Sequence, residues 1–152
     1  MGNEKTISVR VSGFKMIKFK KIDYRKLKSR QQENYNYQKI SSALAEYGFS
    51  TIKLSDDWQT ADFIAQHIDQ QTFLKVQLKG RPYIHKKYMG KDLWICFRFK
   101  EHFYLYPHDE VAKYILANFN VKNTASWKKK GGYGWKKTPQ KLLNFLEKYK
   151  FS

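Results

Sequence analysis

The sequence predicts a single α/β (α+β) domain built on a mixed central sheet of about five strands flanked by helices. Three observations predict it. Apolar residues recur first at helical spacing, then with period two through five short runs, then at helical spacing again. The 152 residues, 41% hydrophobic and 17% aromatic, suffice for one real core and lie outside the composition of a disordered chain. No internal repeat and no linker long enough to separate a second domain is visible. Residues 1–152 therefore read as one domain, with a basic N-terminal arm at 1–28 and a basic, aromatic C-terminal segment at 120–152.

Residues 5–11, KTISVRV, alternate Ile7, Val9 and Val11 with polar neighbours, as a short strand or a partly ordered arm. The following KMIKFKKIDYRKLKSR is dense in Lys and Arg, either a basic approach to a polyanion or a solvated leader. Over residues 29–47, Glu33, Tyr37, Ile40, Leu44 and Tyr47 recur at three and four, predicting a helix that Gly48 stops and that carries Glu33 on its buried stripe. Residues 49–54 alternate as a strand, and SDDWQT is the polar turn behind it. Two strands follow at 61–68 and 72–79. DLWICFRF and HFYLY make a hairpin around Lys100 and Glu101, and HDEVAKYILANF a helix with Asp109 near its N-cap. After a Gly, Lys and aromatic loop, Thr138 and Pro139 supply the N-cap and first position of a last helix bearing Leu142, Leu146 and Tyr149.

Lys and Arg number 30 against 13 Asp and Glu, a formal charge of +17. Such a field attracts a polyanion, and nucleic acid is the first partner to consider. A merely lysine-rich solvated surface is the plain alternative, set against the self-repulsion that so large a charge costs. No stretch approaches the ~20 apolar residues of a spanning helix and no signal peptide opens the chain, so a membrane partner is not expected and the expected location is intracellular, in the cytoplasm. A single cysteine, Cys96, excludes an internal disulfide, and within LWICFRF it reads as core. No Cys and His cluster has zinc-ligand spacing, and His67, His102 and His108 are scattered.

Chemistry is concentrated in residues 61–81, ADFIAQHIDQQTFLKVQLKGR. Side chains alternate along a strand, so Phe73, Lys75, Gln77 and Lys79 share one face and Leu74, Val76 and Leu78 the other. A two-residue turn at Asp69 and Gln70 sets Asp62 opposite Gln77; a turn at Gln70 and Gln71 sets it opposite Lys79. Packing favours the first register, which pairs Phe63 with Val76 and Ala65 with Leu74. Either one brings a carboxylate, an amide oxygen and an ammonium to one face. That grouping suits phosphodiester hydrolysis, in which a hard cation such as Mg²⁺ takes oxygen ligands and lowers the pKa of an attacking water, and a lysine orients that water or offsets developing charge.

A helix with Glu33, a strand, Asp62 opening the next strand, then Gln77-Leu78-Lys79 resembles the PD-(D/E)XK, or restriction-endonuclease-like, nuclease superfamily, over residues 29–106. The resemblance implies a nuclease-like domain with that core: a divalent-metal-dependent endonuclease hydrolysing phosphodiester bonds, with DNA preferred over RNA, Mg²⁺ or Mn²⁺ as cofactor and a homodimer as assembly. Carried over by position, Asp62, Gln77 and the carbonyl of Leu78 bind the metal, Lys79 serves the nucleophilic water, and Glu33 is an auxiliary acid. The chain departs from the pattern twice. Thr60 and Ala61 precede Asp62 where the name-giving proline stands, and Gln77 replaces the triplet acid, which removes one negative charge and weakens the expected metal affinity. This Q-x-K form is similar to that of intron-encoded homing endonucleases of the same fold. The alternative is a catalytically inactive nucleic-acid-binding module.

Basic residues surround this centre. Arg81, His85, Lys86, Lys87 and Lys91 follow Lys79 directly, and Lys128, Lys129, Lys130, Lys136 and Lys137 interleave with Trp127, Tyr133 and Trp135. The cations are expected on phosphates, and the aromatics either on unpaired bases or on the core. A third reading, from a different class, is an interaction domain whose charge meets an acidic protein; equal affinity for heparin and nucleic acid would mark it.

Overall fold

The structure is a computed structural model that describes residues 5–10, 14–56 and 60–152. It divides into two compact units, Met1–Tyr35 and Asn36–Ser152. In the first, β1 (Lys5–Arg10) and β2 (Phe14–Phe19) form an antiparallel hairpin with Ile7 opposite Ile17. The second strand lies in the stretch whose lysines mask its alternation in the sequence, and Val11 of the expected strand lies outside the described residues. A 3-10 turn at Tyr24–Lys26 follows, capped by Asp23. The Asp23 carboxylate accepts from the Arg25 main-chain N–H at 3.0 Å and from its guanidinium at 2.9 Å, contacts that hold it below the usual carboxylate range.

Helix α1 (Ser29–Ala45) buries Ile40 and Leu44 fully and Tyr37 in part, whereas Glu33 and Tyr47 are exposed. The expected stripe is thus buried only over its middle turns, and Glu33 stands in water rather than in the core. Gly48 ends the helix at φ +78°, a conformation that glycine adopts without steric cost. Five strands then build one sheet: β3 (Phe49–Lys53), β4 (Phe63–His67), β5 (Phe73–Lys79), and, after the short β6 (Tyr83–His85), β7 (Leu93–Phe99) and β8 (His102–Pro107). Their order is β3-β4-β5-β7-β8. The β5 and β7 pair is parallel and the other pairs are antiparallel, which gives the mixed five-stranded sheet the sequence predicts. Of the polar turn at 55–60, residues 57–59 lie outside the described residues.

Alternation sorts the sheet into two faces. Phe63, Ala65, Val76, Cys96, Phe103 and Leu105 meet Ile40 and Leu44 of α1 on one side. On the other, Leu93, Ile95, Phe97, Tyr104 and Tyr106 meet Val111, Ala112 and Ile115 of α2 (His108–Asn118) and Leu142 and Leu146 of α3 (Gln140–Leu146). Helix α2 starts at His108, as expected, with Pro107 at its N-cap and Asp109 in its first turn, whereas α3 starts one residue later than expected, with Pro139 rather than Thr138 at its N-cap. Burial pushes the Cys96 thiol up, in keeping with a core cysteine. Among the described residues no helix is long and apolar enough to cross a membrane.

Leu44 is wholly buried between α1 and the sheet. Leu44→Ala should lower the unfolding free energy by ~2–5 kcal/mol, read from the shift of the urea midpoint at unchanged slope.

Candidate functional site

The hairpin of β4 and β5 carries the register that packing favoured, Phe63 opposite Val76 and Ala65 opposite Leu74. The turn is wider than two residues. His67 N–H donates to Thr72 O at 2.9 Å, Gln70 takes φ +61°, and the Asp69 carboxylate accepts from the N–H groups of Gln71 and Thr72 at 2.8 Å and from the Thr72 hydroxyl at 2.6 Å. Those bonds hold Asp69 far below the ordinary carboxylate range and lock the loop without altering the register.

Asp62 continues the ladder. Its N–H donates to Val76 O at 2.8 Å, its carbonyl accepts from Leu54 N–H at 2.9 Å, and its Oδ2 accepts from Leu78 N–H at 2.6 Å. The carboxylate is thereby fixed against β5 at the main chain between Gln77 and Lys79. Thr60, at φ +68°, turns the chain into this position in a conformation that a β-branched residue rarely adopts. Gln77 is buried beside Ile95 of the parallel strand, and Lys79, beside Phe97, is partly exposed. The Lys79 ammonium lies 5.1 Å from the centre of the Tyr83 ring and 5.8 Å from that of Tyr88, within cation–π range of both.

Two features have no counterpart in the sequence reading. One is the two-stranded ribbon of β6 and β9 (Gly132–Gly134), with Tyr83 opposite Gly134 and His85 opposite Gly132, extended by Lys86 N–H to Gly131 O at 2.8 Å. It ties the chain just after Lys79 to the distant lysine-rich loop, so that exposed Arg81, Lys86 and Lys87 flank one strand of the ribbon and exposed Lys128, Lys129, Lys130, Lys136 and Lys137 flank the other. Trp127 is buried, with the Lys86 ammonium 5.2 Å over its ring. A Cβ on Gly132 would stand 2.1 Å from the Tyr83 hydroxyl and 2.7 Å from His85 Cδ2, so the ribbon needs glycine there. The signal in the sequence is the spacing of Gly131, Gly132 and Gly134 against alternating Tyr83 and His85. Lys91 is exposed and lies off the ribbon; its carbonyl accepts from Lys75 Nζ at 2.5 Å.

The other is a relay of histidines beneath Lys79. His85 N–H donates to His108 Nε2 at 3.1 Å, His108 Nδ1 lies 2.8 Å from Asp109 Oδ1, and Gly90 N–H donates to Asp109 Oδ2 at 2.8 Å. His108 thus accepts at Nε2 and donates from Nδ1 in its neutral form. Burial lowers its pKa against the raising effect of Asp109. Burial, Lys87, Lys79 and His108 lower that of His85, whose Nδ1 accepts from Lys87 N–H at 3.0 Å.

Asp62, Gln77 and Lys79 therefore come together, while Glu33 belongs to the Met1–Tyr35 unit. The oxygen donors of Asp62, Gln77 and the Leu78 carbonyl suit a hard divalent cation in kind, but supply only one negative charge. Among the described residues no group of three or more His, Cys, Asp or Glu is gathered to hold a metal.

Fold and site define an α+β domain whose mixed five-stranded sheet presents an Asp, Gln and Lys group beside a basic ribbon. No protein-family profile and no curated protein matches the chain. It is weakly similar to the solved structure of a bacterial homing endonuclease, I-Ssp6803I, with 16% identity and a TM-score of 0.44 over 81% of this chain and 86% of that one. So weak a likeness leaves function to be argued from the chain's own residues.

Both histidine pKa values are depressed, so the unfolded chain binds protons before the folded one. Stability should be intact above about 6.5, the ordinary imidazole value, and should fall as pH drops below it. Urea midpoints compared at about pH 7.5 and about pH 5 should show a smaller decline in His108→Gln than in the wild type.

Proposed function

We infer that this chain is a nucleic-acid-binding domain that grips the phosphate backbone with its β6 and β9 ribbon. The observation that carries this reading is the ladder that gathers lysines and an arginine from two remote segments, in a chain of formal charge +17. Cations so arranged position a polyanion without reading its sequence, and each neutralised phosphate adds to the salt dependence. The single carboxylate of the Asp62, Gln77 and Lys79 group, engaged by Leu78 N–H, supports binding ahead of catalysis. Against DNA, with RNA and heparin as controls, log K should fall with log salt at a slope steeper than about −4, as five or more phosphate contacts require. Replacing Lys128, Lys129 and Lys130 together by Ala should make that slope shallower by about 3. Equal affinity for heparin with an unchanged slope would favour an acidic protein as partner.

A second reading, a metal-dependent endonuclease, is supported by the pairing that sets Asp62 against β5, its N–H on Val76 O and its carboxylate on Leu78 N–H, between Gln77 and Lys79. Asp62, Gln77 and the Leu78 carbonyl would hold Mg²⁺ or Mn²⁺, which would supply a Lewis acid for a phosphate oxygen and lower the pKa of an attacking water. Lys79, steadied by Tyr83 and Tyr88, would orient that water or stabilise the charge developing on phosphate. Asp62→Asn is the informative variant, because an amide oxygen can still accept from Leu78 N–H while the charge is lost. On this reading, cleavage of supercoiled and linear DNA in Mg²⁺ or Mn²⁺ drops at least ~100-fold in Asp62→Asn and in Lys79→Ala. DNA bound but uncut by the wild type in either metal leaves the binding domain alone standing.

A further inference from the structure

The geometry points to a cleft for one unpaired nucleotide, opening directly beyond Lys79. The cavity measures about 380 Å³, at the small end of the ~300–1,000 Å³ typical of small-molecule sites. Its walls come from the turn that leaves β5, with Arg81; from the end of β7, with Phe99; and from the segment between β9 and α3, with Trp135, Lys136, Lys137 and Gln140.

Trp135 is held in place, edge-on to Phe119 at 5.5 Å and to Tyr133 at 4.8 Å between ring centres. Arg81 lies across the ribbon, its Nε 3.5 Å from where a Cβ of Gly134 would stand. No acidic side chain lines the cleft among the described residues. Arg98, which also lines it, is engaged by Glu101 at 3.4 Å, so Arg81, Lys136 and Lys137 set the charge.

An aromatic wall takes the face of a base, three cations take its phosphate, and the Gln140 amide, whose Nε2 donates to Asn144 Oδ1 at 2.8 Å, offers its oxygen and its second N–H to the base edge. A lipid tail or a neutral sugar would waste the cations. Paired bases cannot enter, because their faces are stacked and their edges engaged. The nucleotide comes either from a single strand or from a duplex that has extruded it. This assignment rests on the nucleic-acid-binding reading and names the form of nucleic acid it selects.

Short oligonucleotides carrying 2-aminopurine test it with the full chain in three forms: single-stranded, bulged at the probe, and fully paired. Single-stranded and bulged forms should bind about 10-fold more tightly than the paired form at one salt concentration, with probe fluorescence changing on binding. Trp135→Leu, shown to be folded by its urea transition, should bring the single-strand affinity down to the duplex value. Gln140→Trp alters an exposed residue and fills the cleft, and should do the same without touching the core. A change in probe fluorescence for the paired form as well would identify extrusion as the source; a change restricted to the other two would identify a strand already open. Equal affinity for all three with no fluorescence change overturns the cleft while nucleic-acid binding stands, as does a preference that survives both variants. No binding to any form overturns the cleft and the nucleic-acid reading together.

Discussion

The antiparallel register of β4 on β5 is the constraint on which the site depends. Phe63 against Val76 and Ala65 against Leu74 bury one face of this hairpin against α1. A slip of one residue in β5 would turn Leu74 and Val76 away from α1 and set Lys75 and Gln77 against it. Asp69 closes the turn with three hydrogen bonds at one end, and Asp62 accepts from Leu78 N–H at the other. One side chain that could do chemistry, that of Asp62, therefore takes part in the pairing that positions it.

The parallel pairing of β5 with β7 brings a second consequence. Parallel neighbours need a crossover, commonly a helix, whereas here residues 80–92 cross with only the short strand β6 and a 3-10 turn, Lys86–Tyr88. So spare a connection finds support elsewhere. Tyr106 donates to Tyr83 O at 2.7 Å and accepts from Tyr83 N–H at 3.0 Å, His108 accepts from His85 N–H, and Gly131 accepts from Lys86 N–H. The charged side chains then ride on a segment anchored from below.

Where the sequence spoke clearly, each element was short and apolar on at least one face, β7 and β8 on both. Period-two runs gave β4, β5, β7 and β8, and the apolar pairing of Phe63 with Val76 chose the register, because only that choice kept one face dry. Glu33 was read onto the buried stripe because spacing reports which residues share a face, not where along the helix that face meets a partner; burial covers only the turns bearing Tyr37, Ile40 and Leu44. The ribbon escaped because β6 and β9 are three residues each, far apart in the chain, and one of them consists of two glycines around Tyr133. Such a pair carries almost no pattern of its own. The histidine relay escaped for a related reason: His85 and His108 look scattered until a backbone N–H joins them.

The crossover of residues 80–92 also bears on how such a chain can change over generations. Its attachments run through main-chain groups, that of Lys86 among them, and through the buried rings of Tyr88, Tyr106 and His108, while Arg81, Lys86 and Lys87 are exposed and their side chains form none of these hydrogen bonds. Substitution at those outward positions alters what the ribbon touches and leaves the sheet and its register undisturbed. Recognition and folding are thereby entrusted to different atoms of the same segment, and a lineage can explore new targets at these positions while its scaffold stays fixed.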